Sequence, residues 1–485
     1  MDTKIKEQTI SGILWSFVER FGSVILQFVA NIALARLLLP SDFGLIGLIL
    51  VFISISNTFV DGGMGSALIQ KTDANEIDFS TIFYVNILIS VFLFVILFFS
   101  APYISLFYKE PLLKNLLRVV GLVLVLNALS IIQNVLLVKE INFKRLAFVN
   151  VLSTFLACVV SVASAFYGYG VWSLVIQMLG ISLFKSIFLW AGSNWRPVLA
   201  FSISSAGSLI NYGYKLLLSG LIDSIYTGLY SLVIGKRFSS EDLGYYTQAK
   251  KLEDAPGYTL AAIVNQVTFP IFVKLADDYN TLKKGVKSSL VSLAYINFPL
   301  MILLIVIGTP LFVILFTHKW DEAIPYFKLL CLSGMLLSTH SVNLNIFKAV
   351  GKTDVYLLSE ISKKIVGIIA IFIGLKWGMI GIISSIVFTA FFSFIINAYY
   401  SGKTIDYGIK EQCMDLLPSF LLSIVVGLIV YYIFKLIEIN MYLEVILQVF
   451  LYGLLYILST KIFNFKSYTT YNSILKNKFL KQINK

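Results

Sequence analysis

Charge is what this chain lacks. Only 13% of its 485 residues are Asp, Glu, Lys or Arg, against roughly a quarter in an ordinary soluble domain. A water-soluble fold, which needs a charged surface, is excluded. Cysteine and histidine are scarce as well. Cys158, Cys331 and Cys413 lie far apart, in or beside apolar runs, and His318 and His340 are the only histidines. With no Cys-x-x-Cys and no histidine cluster, neither a disulfide framework nor a metal site is expected. Catalytic signatures are missing too. Gly351-Lys352-Thr353 and Gly402-Lys403-Thr404 look like phosphate-loop endings, but Ile346 and Asn397 stand where the loop's first glycine would be. No Gly-x-Ser-x-Gly, His-Glu-x-x-His or paired-Asp sugar-nucleotide motif appears. Asp277-Asp278 lies in a basic loop and reads as solvated charge. The outer loops reach about a dozen residues at most, too short for the catalytic loop of a membrane polymerase or ligase.

What is present is apolar. Hydrophobic residues make up 58% of the chain, in recurring runs of about 20 residues, the length that spans a bilayer. Broken by Pro, Gly and charge clusters, the runs predict fourteen spans. They are placed at about 11–38, 43–69, 79–107, 116–138, 147–168, 170–192, 206–234, 244–273, 287–316, 322–349, 355–375, 377–400, 415–437 and 441–463. The protein is therefore expected to be an all-α integral membrane protein. Its first apolar run is too long for a signal-peptide core and reads as an uncleaved first helix. The net charge of +12 is explained by lysine and arginine on the cytoplasmic side, with no nucleic acid partner. Alternate loops and the tail hold about 21 basic residues, among them Lys71, Lys139, Arg196, Lys352 and Lys410, against about 9 in the other loops. This bias puts both termini in the cytoplasm.

The chain also repeats itself. Arg36, Asp42 and Gly44 lie in a short turn between apolar runs, and Lys236, Asp242 and Gly244 stand 200 residues later in the same order. Each set reads as a helix hairpin whose Asp caps the incoming helix, where the first backbone N–H groups have no partner. Tyr169-Gly170-Val171 before span six likewise resembles Trp377-Gly378-Met379 before span twelve. The expected organisation is an N-terminal lobe at 1–200, a related lobe at 201–405, and two further spans with a basic tail at 406–485. Six spans per half gives parallel repeats, with a site at their interface.

Polar residues within spans mark candidate contacts, because facing lipid is expensive. Span one carries Ser16, Arg20, Ser23, Gln27 and Asn31 on one helix face, and span seven carries Lys215, Ser219, Asp223, Tyr226 and Tyr230 at matching positions. Span two adds Ser54, Asn57, Asp61 and Gly65, and span eight holds Lys250, Lys251, Glu253 and Asp254. A cavity rich in cations favours an anion such as phosphate or pyrophosphate. Arg20, Lys215, Lys250, Lys251, Gln27 and Asn31 are the candidate contacts. Ser, Asn and Gln in such helices also bond neighbouring helices, and a structural ion pair accounts equally well for Glu19, Glu253 and Asp254. Asp61, Asp223 and Glu360 are candidates for ion coupling or an ion pair. Lys250 and Lys251 could instead snorkel, and Lys363 and Lys364 are expected to do so at the cytoplasmic face.

Arg36-x-Leu38-x-Pro40-x-Asp42-Phe43-Gly44 resembles the first-hairpin signature of the Wzx-type polysaccharide flippases, in the colanic acid and teichuronic acid exporter branch. Asp61 through Gln70, Asn142-Phe143-Lys144-Arg145-Leu146-Ala147 and Gly168-Tyr169-Gly170-Val171-Trp172 resemble further signatures of that branch. The resemblance covers about residues 5 to 400. It implies the multidrug/oligosaccharidyl-lipid/polysaccharide exporter superfamily, with two six-helix lobes in a V shape and alternating access. It further implies an undecaprenyl-pyrophosphate-linked oligosaccharide as cargo, moved across the bacterial inner membrane for surface polysaccharide biosynthesis. A cationic cavity at Arg20, Lys215 and Lys250 or Lys251 would hold the pyrophosphate. The last two spans would guide the lipid tail, and the polysaccharide polymerase machinery is the candidate protein partner. The repeated hairpins, independently of the resemblance, make Arg36 a structural or gate residue near the outer surface. No bound cofactor or metal is expected; any driving force would be a proton or sodium gradient. The alternative is a cation-coupled multidrug exporter on the same fold, which would need acids to dominate the cavity.

Overall fold

The computed structural model describes residues 3–71 and 73–465, with side chains undescribed at 3–10, 13, 208–212, 215, 216, 258–266, 337 and 338. Among the described residues all regular structure is helical. Twelve stretches are long and apolar enough to cross a membrane, and their outward faces are rich in exposed Leu, Ile, Val and Phe. Such a surface is tolerated only in lipid.

The chain divides into two compact units, Met1–Gly244 and Tyr245–Lys485. The first holds α1 (Thr3–Leu37), α2 (Pro40–Asp61), α3 (Met64–Gln70), α4 (Glu76–Tyr108), α5 (Pro111–Val120), α6 (Leu122–Lys139), α7 (Phe143–Phe166), α8 (Trp172–Gly192) and α9 (Ile203–Arg237). The second is built from α10 (Ser240–Leu275), whose first turn belongs to the first unit, α11 (Tyr279–Phe316), α12 (Ala323–Ala349), α13 (Thr353–Gly374), α14 (Gly378–Ile405), α15 (Ile409–Lys435) and α16 (Met441–Ile462).

Packing repeats between the units. In the first, α4 packs on α6, α6 on α8 and α7 on α8; in the second, α11 packs on α12, α12 on α14 and α13 on α14. The helices α15 and α16 both pack on α11, where Tyr452 donates to the Ser423 carbonyl and Tyr456 to that of Tyr295. A phenol buried in this way needs an acceptor.

Two expected spans are broken. Span two divides into α2 and α3 at Gly62 and Gly63, whose φ angles of 51° and 69° suit a residue without a Cβ. Span four divides at Gly121 into α5 and α6. The apolar run Thr353–Ile405 is one continuous stretch by composition but folds as α13 and α14, with a turn at Leu375–Trp377 between them. Helix α10 is not among the membrane-length stretches, because Lys250, Lys251, Glu253 and Asp254 charge its first half.

Candidate functional site

Within the first unit, α9 lies antiparallel along α2. Its approach is set by glycines two turns apart. A Cβ added to Gly213, Gly220, Gly228 or Gly235 would stand 2.3 Å from Gly62 O, 2.9 Å from Thr58 Cγ2, 2.4 Å from Val51 Cγ1 and 2.6 Å from Leu48 Cδ2 respectively. Missing side chains allow the two backbones to close on each other, as in membrane helix pairs generally.

At one end of this seam the two repeated hairpins meet. A Cβ on Gly44 would lie 1.7 Å from Ser240 O, and one on Gly244 would lie 1.8 Å from Pro40 O. The contact is reciprocal, and each glycine faces the first turn of the other's helix. The aspartates do not occupy the cap position expected of them. Asp42 sits inside the first turn of α2 and its Oδ2 accepts from Leu39 N–H at 3.0 Å. Asp242 accepts from Ser239 N–H at 3.2 Å while Ser239 Oγ accepts from Asp242 N–H at 3.0 Å, so Ser239 is the cap and Asp242 its reciprocal partner. Both carboxylates still favour the positive helix end. Arg36 is exposed at the end of α1, and Lys236 donates to the Phe107 carbonyl while its Nζ sits 3.7 Å over the Phe107 ring.

Farther along the seam α2, the α2–α3 break, α3 and α9 line an open cavity of about 840 Å³. Its polar lining comprises Ser54, Asn57, Thr58, Asp61, Ser66, Asp223 and Ser224. Thr58 and Ser224 share a 2.8 Å hydrogen bond across the seam, and Asn127 Nδ2 donates to Asn57 Oδ1 at 3.1 Å. The structure thus brings Asp61 and Asp223 to one cavity. No lysine or arginine is among the described residues that line it. Carboxylates, an amide and hydroxyls at a wet wall accept and donate as sugar hydroxyl groups require, and they would equally attract a cation.

Arg20, Lys250 and Lys251 are not among the described residues that line it. Arg20 and Gln27 are exposed on α1, and Asn31 is buried there. The Lys215 side chain lies outside the described residues. In the second unit, Lys250 Nζ is 2.6 Å from Glu253 Oε2 and 2.7 Å from Asp254 Oδ1, so its charge is already met by two acids. Lys251 is exposed. Lys363, expected to snorkel, is instead buried and lies 2.5 Å from Glu360 Oε1. Burial of an ammonium requires such a partner. His340 and Asn397 complete that cluster. Neither residue carries a periodic signal of its own. For the cavity the available signal was the 7, 8, 7 glycine spacing of α9.

A repeated helix packing, a lipid-compatible surface and a polar cavity beside a broken helix define a multi-pass membrane protein. The chain belongs to the polysaccharide biosynthesis protein family, which it matches over residues 33–325. It is 25% identical over 430 residues to the teichuronic acid biosynthesis protein TuaB of Bacillus subtilis, covering 88% of this chain and 89% of that one. It is 25% identical over 424 residues to the lipopolysaccharide biosynthesis protein WzxC of Escherichia coli, covering 87% and 86%. Among solved structures, the lipid II flippase MurJ in an inward closed conformation superposes with a TM-score of 0.77 at 18% identity, covering 93% of this chain and 98% of that one. An inward-facing multidrug resistance transporter of the MATE family and MOP superfamily gives 0.62 at 16% identity, covering 80% and 96%. The fold is that of these transporters.

Proposed function

We propose that this protein moves an undecaprenyl-pyrophosphate-linked oligosaccharide from the cytoplasmic to the outer leaflet of a bacterial inner membrane by alternating access. The observation that carries the reading is the polar cavity of Asn57, Thr58, Asp61, Asp223 and Ser224 in a polysaccharide biosynthesis family member. Its carboxylates and amide take the glycan's hydroxyl groups, so the oligosaccharide is the part held by the described polar residues of α2 and α9. The pyrophosphate is left to basic side chains, Lys215 of α9 and Arg20 of α1 foremost, since it calls for paired charged donors. Fourteen crossings with both termini cytoplasmic, two six-span lobes followed by two spans, and hand-over to polysaccharide polymerase machinery complete the proposal.

The test is complementation of a gene deletion, in which glycan-lipid should accumulate facing the cytoplasm. Asp61→Asn together with Asp223→Asn should cut outer-leaflet glycan about 10-fold or more at unchanged protein level, as lost charge-assisted bonds imply. Lys215→Ala should do the same. Unchanged outer-leaflet glycan in the deletion strain, with no paralogue present, would overturn the reading. A second reading, a cation-coupled drug exporter, draws on the two acids of the cavity. It would require gradient-dependent drug efflux that the Asp61→Asn, Asp223→Asn pair abolishes.

A further inference from the structure

The cluster on α12, α13 and α14 contains more chemistry than an ion pair needs. Lys363 is 5% exposed and Asn397 fully buried, with His340 and Glu360 beside them. Asn397 Oδ1 is 3.3 Å from Lys363 Nζ, and Asn397 Nδ2 is 2.7 Å from His340 Nδ1. His340 Nε2 is 3.7 Å from Glu360 Oε1 and 3.5 Å from Lys363 Nζ. The donor logic fixes the arrangement. An ammonium only donates, so the Asn397 oxygen must face Lys363 and its NH₂ must face His340. His340 Nδ1 therefore presents a lone pair, and the neutral ring carries its hydrogen on Nε2, toward Glu360.

We propose that His340, Asn397, Lys363 and Glu360 form a proton-binding site that controls the contact among α12, α13 and α14. A proton from hydronium adds to the Nδ1 lone pair, forming one N–H bond and releasing water. That N–H then confronts the Asn397 NH₂. To accept it, the Asn397 amide must reverse, and Lys363 loses its oxygen. Imidazolium and ammonium then compete for Glu360 Oε1, two cations against one acid. Proton uptake thus breaks the bridge from α14 to α13 and loosens α12. A static ion pair would need neither the histidine nor the amide orientation.

The other charges around His340 do not relieve this. Lys348 on α12 and Lys364 on α13 add positive charge nearby. Helix α14 brings the neutral Asn397, and its Lys403 lies over Tyr399 at 4.6 Å. On α11, Lys283 and Lys287 are held by Glu411 and Asp415 of α15, at 2.8 Å each.

The site rests on this geometry alone and is tested without substrate, so its failure would leave the flippase reading standing. The chain's two histidines give two imidazole ¹⁵N signal sets, and His318→Asn assigns them. With the full-length protein in nanodiscs at about pH 8, His340 should show the Nε2-protonated neutral ring. Acidification through the His340 titration should shift Nδ1 and the Asn397 side-chain amide together. The unfolded chain takes up that proton freely and the folded chain only by breaking the cluster, so stability should fall as pH falls. The melting temperature should drop by a few degrees between about pH 8 and about pH 5, and His340→Gln, which can still accept from Asn397, should remove the drop. A ring protonated on Nδ1 at about pH 8, an Asn397 amide that stays put while His340 titrates, or coincident melting curves for wild type and His340→Gln would each overturn the proposal.

Discussion

At Gly44 and Gly244 a single methyl group decides whether two helix starts can touch. The Cβ would fall 1.7 Å and 1.8 Å from backbone carbonyl oxygens, which cannot swing aside as a side chain can. Gly44→Ala and Gly244→Ala should each cost about 1–3 kcal/mol or more by overpacking. Gly235→Ala meets only the flexible Leu48 side chain, and the helix gains about 0.5–1 kcal/mol from the added Ala. Thermal melting of the purified protein should therefore rank Gly44→Ala and Gly244→Ala well below Gly235→Ala. Equal melting temperatures for the three would remove the hairpin contact from the account. These two glycines were visible in the sequence as a repeat, because repetition needs no geometry to be noticed. Their reciprocal contact was not. Which residue lies opposite Gly44 depends on a pairing between positions 200 apart, and no periodicity encodes that. The same limit applies to Lys363. A lysine in an apolar run reads as snorkelling until His340 and Asn397, on other helices, are seen around it.

The break between α2 and α3 is the element on which the cavity depends. Gly62 and Gly63 both adopt positive φ, and Gly63 and Asp61 line the cavity on either side of it. Ala at Gly63 should cost about 1–2 kcal/mol in left-handed strain, whereas Asn visits that region more easily. Gly63→Ala should therefore lower both melting temperature and transport in the complementation assay, with Gly63→Asn closer to wild type. Equal behaviour of the two variants would show that left-handed backbone is not what this position supplies. Composition and motif make Asp61 through Gln70 stand out, yet the run reads as part of one continuous span. An apolar 3.6 period continues across a two-residue break, since α2 and α3 each bury a face. The α9 side was legible in part. Asp223 came from its polar stripe and does line the cavity. Its fellow stripe members Ser219, Tyr226 and Tyr230 are not among the lining residues, because the glycines at 213, 220, 228 and 235 turn a neighbouring face of α9 onto α2.

For the molecule as a whole, helix α10 decides the path through the membrane. Its first half is charged, yet Lys250 is matched by Glu253 and Asp254 within the same helix, and the fully buried Glu253 packs against Gly334 of α12. Internal pairing lowers the cost of burying those charges, as a crossing by α10 requires. That crossing sets the parity of everything after it. If it is made, Ser239 faces outside and Asp277 the cytoplasm, and His318 and Gly351 follow on opposite sides in turn. If it is not, every loop from Asp277 onward changes face, and lysines such as Lys283, Lys287 and Lys352 lie outside, against the positive-inside bias. Single cysteines at Ser239, Asp277, His318 and Gly351, in a variant lacking Cys158, Cys331 and Cys413, can be probed with a membrane-impermeant maleimide on intact cells. Labelling at Ser239 and His318, with Asp277 and Gly351 protected until the membrane is permeabilised, is the expected pattern. Labelling of Ser239 and Asp277 from the same side would take α10 out of the membrane and reverse the orientation of the second unit's loops.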